Sequence, residues 1–167
     1  QISKDKRFSK IVIAGHSEGS LIGMIAAVNN KKVKGYISIA GAGRQADEIL
    51  KEQLQAQPMD MRIRMYKMID KLKKGDTIAN VPAQYNALFR PNIQPYLISW
   101  FKYDPQKEIA KLKIPVLILQ GTMDIQVKIA DYDRLTKAKP TAQKLLIPDM
   151  NHVLKSISTI DKTAQIP

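Results

Sequence analysis

The chain has 167 residues, and its 44% hydrophobic content is enough for a globular core, which excludes a disordered or fibrous protein. Its 27 Lys and Arg outnumber its 15 Asp and Glu and give a net charge of +12. These basic residues are scattered, with few aromatic residues among them, so we expect no nucleic-acid partner. The chain contains no cysteine, which excludes disulfides, thiolate zinc sites and cysteine catalysis and leaves the cellular compartment open between cytoplasm and an exported location.

The sequence also indicates how the chain relates to membranes and to processing. No apolar stretch approaches the ~20 residues that a membrane-spanning helix needs, so we expect no transmembrane segment. The first ten residues, "QISKDKRFSK", contain neither an initiator Met nor the apolar region of a signal peptide. We therefore expect a processed chain or a part of a longer one.

The first predicted strand, residues 10–15, leads into Gly-His-Ser-Glu-Gly, and a helical pattern over residues 18–30 follows directly. A Gly-x-Ser-x-Gly turn between a strand and a helix forces the serine into a strained backbone conformation. We expect the glycines at both ends of the motif to avoid collisions of Cβ atoms. Ser17 Oγ then lies exposed above the sheet, as a nucleophile does. The alternative is an ordinary strand-to-helix turn in which Ser17 caps the helix.

A second strand is predicted over residues 33–42, and a long segment with several helical patterns separates it from the next strand. A segment of this length is not an unstructured loop in a compact domain. We therefore divide the chain into a core, residues 1–43 and 114–167, and a helical insertion, residues 44–113.

Within the insertion, "MRIRMYKMIDKLKKGD" at residues 61–76 predicts an amphipathic helix. Its apolar residues recur at helical spacing, and its Lys and Arg residues fall mostly on the opposite, solvated face. The apolar residues are Met61, Met65, Met68, Ile69 and Leu72.

The last two predicted strands, residues 114–121 and 142–150, enclose a predicted helix over residues 126–138. This alternation of strands and helices predicts an α/β fold with a parallel sheet and helices on its faces. Loops after the strands of such a sheet meet at its carboxyl edge. We therefore expect the polar residues that follow these strands to lie near Ser17.

A serine nucleophile requires a base, and the chain has only two histidines. His16 is adjacent to Ser17 and we expect its side chain to point elsewhere, which leaves His152, just after the last strand. Asp124, three residues after the strand that ends at Gly121, is the candidate carboxylate to hold the imidazole. Asp149 is the alternative. Two further carboxylates, Asp131 and Asp133, lie on a predicted helix and we expect them to be solvated.

Three stretches, "GHSEGS" at residues 15–20, "IPVLILQGTMDIQV" at residues 114–127 and "NHVLK" at residues 151–155, resemble the α/β-hydrolase superfamily. Among its members the chain is most similar to serine esterases and acyltransferases with a helical lid. The resemblance covers nearly the whole chain but only the second half of the family's fold, because family members place several strands before the elbow strand. We therefore expect the first half of the fold to be missing here, and the unpaired edge of the first strand to favour self-association or pairing with a separate chain.

The resemblance implies acyl transfer through an acyl-enzyme on a small-molecule acyl substrate, with no cofactor and no metal. Ser17 would attack the carbonyl, His152 would take and return the proton, and Asp124 would orient His152. The backbone N–H of Glu18 would be one donor of the oxyanion hole, and the sequence does not locate the second.

The resemblance also implies that residues 44–113 form a lid, whose Tyr96, Trp100 and Phe101 would line an acyl or aryl site. The alternative is that these aromatic residues only pack the insertion. Two other functions stay open: a serine peptidase or amidase of the same fold, and a non-catalytic binding protein with a hydrolase-like fold. The presence of Ser, Asp and His at all three positions argues against the last.

Overall fold

The structure, a computed structural model, describes residues 5–159. It divides into two compact units, the first made of the residues up to Gly43 and from Pro105 onward, and the second of Arg44–Asp104. The strands and α-helices in chain order are β1 (Ile11–His16), α1 (Glu18–Ala27), β2 (Val33–Ile39), α2 (Ala46–Gln53), α3 (Met59–Lys73), α4 (Asn86–Phe89), α5 (Gln94–Phe101), α6 (Pro105–Lys111), β3 (Val116–Gly121), α7 (Ile129–Ala138) and β4 (Gln143–Ile147). Short 3₁₀ helices cover Leu54–Ala56 and Ala83–Tyr85.

The first unit is built on a four-stranded sheet in the order β1-β2-β3-β4, and all three strand pairs are parallel. The four predicted strands are confirmed, with ends that differ by a few residues. The register aligns Ala14 with Ile37, Ile37 with Leu117, and Leu119 with Leu145. The predicted class, an α/β fold with a parallel sheet, is therefore confirmed, and the carboxyl ends of all four strands lie at one edge.

The two faces of this sheet differ. Helix α1 packs on β1 and β2, α7 packs on β3, and α6 contacts both helices, so the three form one layer. Tyr36 of β2 faces this layer, because its hydroxyl bonds to Ser20 of α1. Alternation along the strands then places Val12 and Leu145 on the opposite face, where their side chains are 55% and 43% exposed.

The second unit is held by an apolar cluster. Helix α3 contributes Met65, Ile69 and Leu72, which are buried as its periodicity predicts, while Met61 and Met68 are partly buried against them. The other buried members of the cluster are Ala46, Tyr85, Phe89, Leu97 and Phe101. The buried amide of Gln94 joins the start of α5 to the loop after α3 and to the end of α4, because it accepts from Ile78 N and donates to Ile78 O and Phe89 O at 2.7–2.9 Å.

The second unit ends at Asp104 and not at Lys113, the boundary expected from the sequence. The reason is α6, which packs on α1 and α7 and therefore lies in the first unit. Local helical patterns in the sequence do not indicate which unit a helix packs against. Within residues 5–159, every helix is too short or too polar to cross a membrane.

Candidate active site

The backbone turn at Ser17 is the first feature of the site. Ser17 directly follows β1 and has φ 55° and ψ −123°, a conformation that costs a non-glycine residue roughly 1–3 kcal/mol. The turn is fixed to the neighbouring strand, because Ser17 N donates to Ile39 O of β2 at 2.9 Å. Ser17 is at the N-cap of α1, yet its side chain makes no cap hydrogen bond within the described part of the chain. This argues against the alternative in which Ser17 only caps the helix.

The two glycines of the turn have different roles. A Cβ at Gly15 would lie 2.1 Å from Gly19 O, so any side chain at position 15 would force the turn apart. A Cβ at Gly19 would meet no described atom within 4 Å. The expectation that both glycines avoid a Cβ collision is therefore right for Gly15 and wrong for Gly19, whose backbone makes the close approach to Gly15.

The structure brings Ser17, Asp124 and His152 together at the carboxyl edge of the sheet. His152 Nε2 is 3.0 Å from Ser17 Oγ, and His152 Nδ1 is 2.8 Å from Asp124 Oδ2. An ionised carboxylate only accepts hydrogen bonds, so Nδ1 carries the imidazole hydrogen and Nε2 accepts from the Ser17 hydroxyl. This arrangement can move a proton from the serine to the imidazole.

Asp124 is held by hydrogen bonds on both oxygens. Oδ1 accepts from the backbone N–H groups of Gln126 and Val127 at 2.8 and 2.9 Å, and Oδ2 accepts from Gln120 Nε2 at 3.1 Å as well as from His152. Burial raises the pKa of Asp124, but the hydrogen bonds from His152 and from the two backbone N–H groups, together with the electrostatic interaction with His152, outweigh burial and lower it. Asp124 is therefore an anion at neutral pH.

Gln120 is a residue that the sequence did not single out. It is the penultimate residue of β3, it is buried, and its Nε2 also donates to Val127 O at 2.9 Å. It thus fixes the loop that carries Asp124 and contacts the carboxylate itself. A polar side chain inside the apolar strand "VLILQG" was the available signal, because buried polar groups need partners.

The loop that carries His152 is folded by its neighbour Asn151. The buried Asn151 side chain accepts from Val153 N at 3.1 Å and Lys155 N at 2.9 Å, and Asn151 N donates to Lys155 O at 2.9 Å. Asn commonly folds a turn in this way. Asp149, the alternative carboxylate, is exposed in the same loop, and the carboxylate at His152 Nδ1 is that of Asp124.

The other histidine, His16, also reaches this loop. Its Nε2 is 2.8 Å from the backbone oxygen of His152, and the two rings have their centroids 4.9 Å apart. We expect the His16 side chain to point away from Ser17, and no contact between the two side chains contradicts this within residues 5–159. Its contact with His152 is one that its position in the sequence, 136 residues away, did not indicate.

Hydroxyl groups are buried beneath the turn. Ser20 Oγ lies 2.9 Å from Tyr36 Oη and 2.8 Å from Ser38 Oγ, and Tyr36 Oη donates to Ser20 O at 2.7 Å. Burial raises the pKa of Tyr36 to about 12 although hydrogen bonds with Ser20 and Ser38 act to lower it. Tyr36 is therefore neutral, and the cluster attaches the first turn of α1 to β2.

The remaining predicted residues lie in two places. Glu18 is the first residue of α1, so its backbone N–H lies at the helix N-terminus, next to Ser17. Tyr96, Trp100 and Phe101 lie on α5 in the second unit. Tyr96 is 45% exposed and stacks on Trp100 with centroids 5.6 Å apart, whereas Phe101 is 1% exposed and belongs to the apolar cluster. The position of Phe101 fits the alternative in which the aromatic residues pack the insertion.

Over residues 5–159, His, Cys, Asp and Glu form no group of three or more that could hold a metal ion.

No protein-family model and no curated protein sequence matches this chain, but several solved structures have a similar fold. Est1E from Butyrivibrio proteoclasticus is 17% identical with a TM-score of 0.58, over 92% of this chain and 57% of that one. The esterase domain of a Rhodothermus marinus protein is 13% identical with a TM-score of 0.53, over 86% and 53%. A bromoperoxidase from Bacillus anthracis is 15% identical with a TM-score of 0.52, over 87% and 62%.

These similarities establish the fold. All three structures are α/β-hydrolase fold members, and this chain has the same fold. At such low identity the likeness extends to the fold alone. The chain spans less than two thirds of each of these proteins.

Proposed function

We propose that this protein is a serine hydrolase that cleaves a carboxylic ester, or a related acyl substrate, through an acyl-enzyme on Ser17. One observation carries the proposal: a continuous pair of hydrogen bonds runs from Ser17 Oγ to His152 and from His152 to Asp124, at 3.0 and 2.8 Å. The strained conformation of Ser17 between a strand and a helix supports it as well. So does the fold, which this chain shares with esterases.

The first half of the reaction acylates the serine. Ser17 Oγ attacks the carbonyl carbon of the ester while its proton passes to His152 Nε2. The imidazolium that forms is stabilised by the Asp124 carboxylate at Nδ1. His152 then returns the proton to the leaving alcohol as the bond between the carbonyl carbon and the alcohol oxygen breaks.

The second half repeats these steps with water. His152 Nε2 takes a proton from a water molecule, whose oxygen attacks the acyl carbon, and the proton then returns to Ser17 Oγ as the acid is released. Each half passes through a tetrahedral intermediate with a negatively charged oxygen. We propose that the backbone N–H of Glu18 donates to this oxygen, because it lies at the N-terminus of the ten-residue helix α1, where the helix dipole favours negative charge.

We also propose that Tyr96 and Trp100 form an apolar surface for an acyl or aryl group. Their stacked rings offer an apolar surface on one helix. Phe101 supports Trp100 from the cluster, with ring centroids 6.4 Å apart. Under this proposal, Tyr96→Ala should raise KM for long-chain or aryl esters more than it lowers kcat.

The test is covalent labelling. A fluorophosphonate probe should label the protein on one serine, and peptide mapping should find the adduct on Ser17. Ser17→Ala should abolish labelling, and Ser158→Ala, a change at an exposed serine, should not affect it. An adduct on another serine would overturn the assignment.

Substrate panels separate the alternative functions. A series of p-nitrophenyl esters should be hydrolysed faster than the matching anilides. Faster cleavage of anilides or peptides would indicate an amidase or peptidase instead. If the protein binds the carboxylic acid of a test ester but hydrolyses no ester and is not labelled by the fluorophosphonate, it would be a non-catalytic binding protein.

A further inference from the structure

The His16 side chain is not used in the proposed reaction, yet it contacts the residue that acts as the base. His16 is the last residue of β1 and directly precedes Ser17. Its Nε2 lies 2.8 Å from the backbone oxygen of His152, and its ring is tilted by 45° against the His152 ring, with centroids 4.9 Å apart. Two consecutive residues thus contact His152. Ser17 forms a hydrogen bond with its ring, and His16 forms one with its backbone oxygen.

The partner atom fixes the tautomer of His16. A carbonyl oxygen only accepts hydrogen bonds, so His16 Nε2 must carry a hydrogen. In the neutral state, His16 is then the Nε2–H tautomer, whereas His152 is the Nδ1–H tautomer because it donates to Asp124. The two imidazoles of this protein therefore carry their hydrogens on different nitrogens.

The contact matters because of where His152 lies. It is in a loop after the last strand, folded by Asn151 through bonds to Val153 and Lys155. Those bonds determine the shape of the loop but do not attach it to β1. Asp149 N donates to Thr122 Oγ1 at 2.9 Å and Met123 N to Met150 O at 3.1 Å, and these bonds join the loop to the segment after β3. The His16 bond joins the loop to β1, the strand that presents Ser17. A displacement of even 1 Å between His152 Nε2 and Ser17 Oγ changes the rate of proton transfer substantially.

We propose that His16 is a positioning residue: its Nε2–H bond to the backbone oxygen of His152 holds the base at the distance from Ser17 that the reaction requires. This inference rests on the proposed function for the role of Ser17 and His152, while the hydrogen bond itself can be tested without it.

The first experiment measures kinetics in two variants. His16→Phe keeps a ring against His152 but removes the donor, and His16→Gln offers an amide N–H near the position of Nε2–H. We expect His16→Phe to lower kcat for p-nitrophenyl acetate, and the rate of fluorophosphonate labelling, about tenfold, which corresponds to 1.4 kcal/mol. KM should change by less than about twofold, and His16→Gln should restore most of the rate, since only transition-state positioning is affected. Equal rates in His16→Phe and wild type, or equal losses in both variants, would overturn the proposal.

A second set of variants tests whether His16 acts through His152. In a His152→Ala background there is no imidazole to position, so adding His16→Phe should leave the residual labelling rate within about twofold. A full tenfold loss in that background would show that His16 acts on the substrate or on the fold instead. The thermal midpoints of all variants check that the effect does not come from unfolding.

A third experiment is independent of activity. Because the chain has two histidines, imidazole ¹⁵N–¹H correlation spectra of wild type and His16→Phe assign both rings. We expect the Nε2–H tautomer at His16 and the Nδ1–H tautomer at His152 in the neutral protein. An Nδ1–H tautomer at His16 would overturn the hydrogen bond and the inference with it. If the spectra agree but wild type is not labelled on Ser17, the proposed function fails and the positioning role fails with it.

Discussion

Two regions of this protein, the carboxyl edge of the sheet in the first unit and the apolar cluster of the second unit, hold their buried side chains in contrasting ways. At the carboxyl edge of the sheet, the first unit buries polar side chains, and Asp124, Gln120 and Asn151 are each held by two or more directed hydrogen bonds. The second unit buries an apolar cluster whose side chains pack against one another by van der Waals contact. Hydrogen-bond geometry fixes positions of single atoms, whereas apolar packing contributes free energy in proportion to the buried area. We therefore expect substitutions in the first set to change reactivity and those in the second to change stability.

The largest expected effect is at the proposed catalytic pair. Ser17→Ala and His152→Ala should each lower kcat by several orders of magnitude, and the double variant should lose little more, because the two residues act as a unit. The thermal midpoint of Ser17→Ala should stay close to that of wild type. Steady-state ester hydrolysis and thermal unfolding measure both quantities. Losses that add up in the double variant would contradict a shared mechanism.

A slightly smaller loss of activity is expected at the carboxylate. Asp124→Asn should lower kcat about 10⁴-fold, because an amide no longer holds His152 in the Nδ1–H tautomer. Asp149→Asn is the matched control, since Asp149 is an exposed carboxylate in the His152 loop, and it should keep nearly full activity. Comparable losses in the two variants would show that the charge of this region, and not the bond to His152, is important.

The opposite effect is expected in the apolar cluster. Phe89 is fully buried there, and Phe89→Ala should cost roughly 3–5 kcal/mol of unfolding free energy through the cavity that it leaves. Ile63→Ala on α3, where the side chain is about half exposed, should cost less than about 1 kcal/mol. Urea denaturation measures both variants. Below the unfolding transition, Ser17 in Phe89→Ala should still be labelled at the wild-type rate. A large loss of labelling would contradict the expectation that substitutions in the apolar cluster change stability and not reactivity.

The smallest effect is a dependence of stability on pH. The pKa of Asp124 is lower in the folded protein than its ordinary value, so ionised Asp124 stabilises the folded state. This contribution is fully present above the unfolded pKa of ~3.9 and is lost as the pH falls through the lower folded pKa. Wild type should therefore lose stability in strong acid more steeply than Asp124→Asn. Urea midpoints of both proteins between pH 7 and about pH 2 cover the window, and parallel curves would contradict the prediction.

Much of the first unit could be predicted from the sequence. β-branched runs bounded by Gly and Pro predicted the four strands, and the Gly-x-Ser-x-Gly turn predicted the conformation of Ser17. Because the chain has only two histidines, the sequence also indicated which imidazole would lie near Ser17. The proximity of Ser17, Asp124 and His152 agrees with that expectation, while their catalytic roles stay predictions.

Other features depend on contacts that no local pattern records. The bonds from Gln120 to Val127 and from Asn151 to Lys155 need the loops to be folded first. His16 contacts His152 only because the sheet places the end of β1 near the loop that follows β4. The end of the second unit at Asp104 depends on the packing of α6 against α1 and α7. In each case the sequence shows a suitable residue, and the tertiary structure decides its partner.

The division of the chain has a consequence for the order of folding. The second unit is one continuous stretch, Arg44–Asp104, whereas the first unit joins residues on both sides of it. A ribosome therefore completes the second unit before it has synthesised β3 and β4, so the apolar cluster can form while β2 still lacks its neighbour β3. The contact between Ser17 and His152 spans 135 residues, and contacts over such separations form slowly because a large loop must close. The nascent chain should thus acquire chemical reactivity last, after most of its secondary structure has formed.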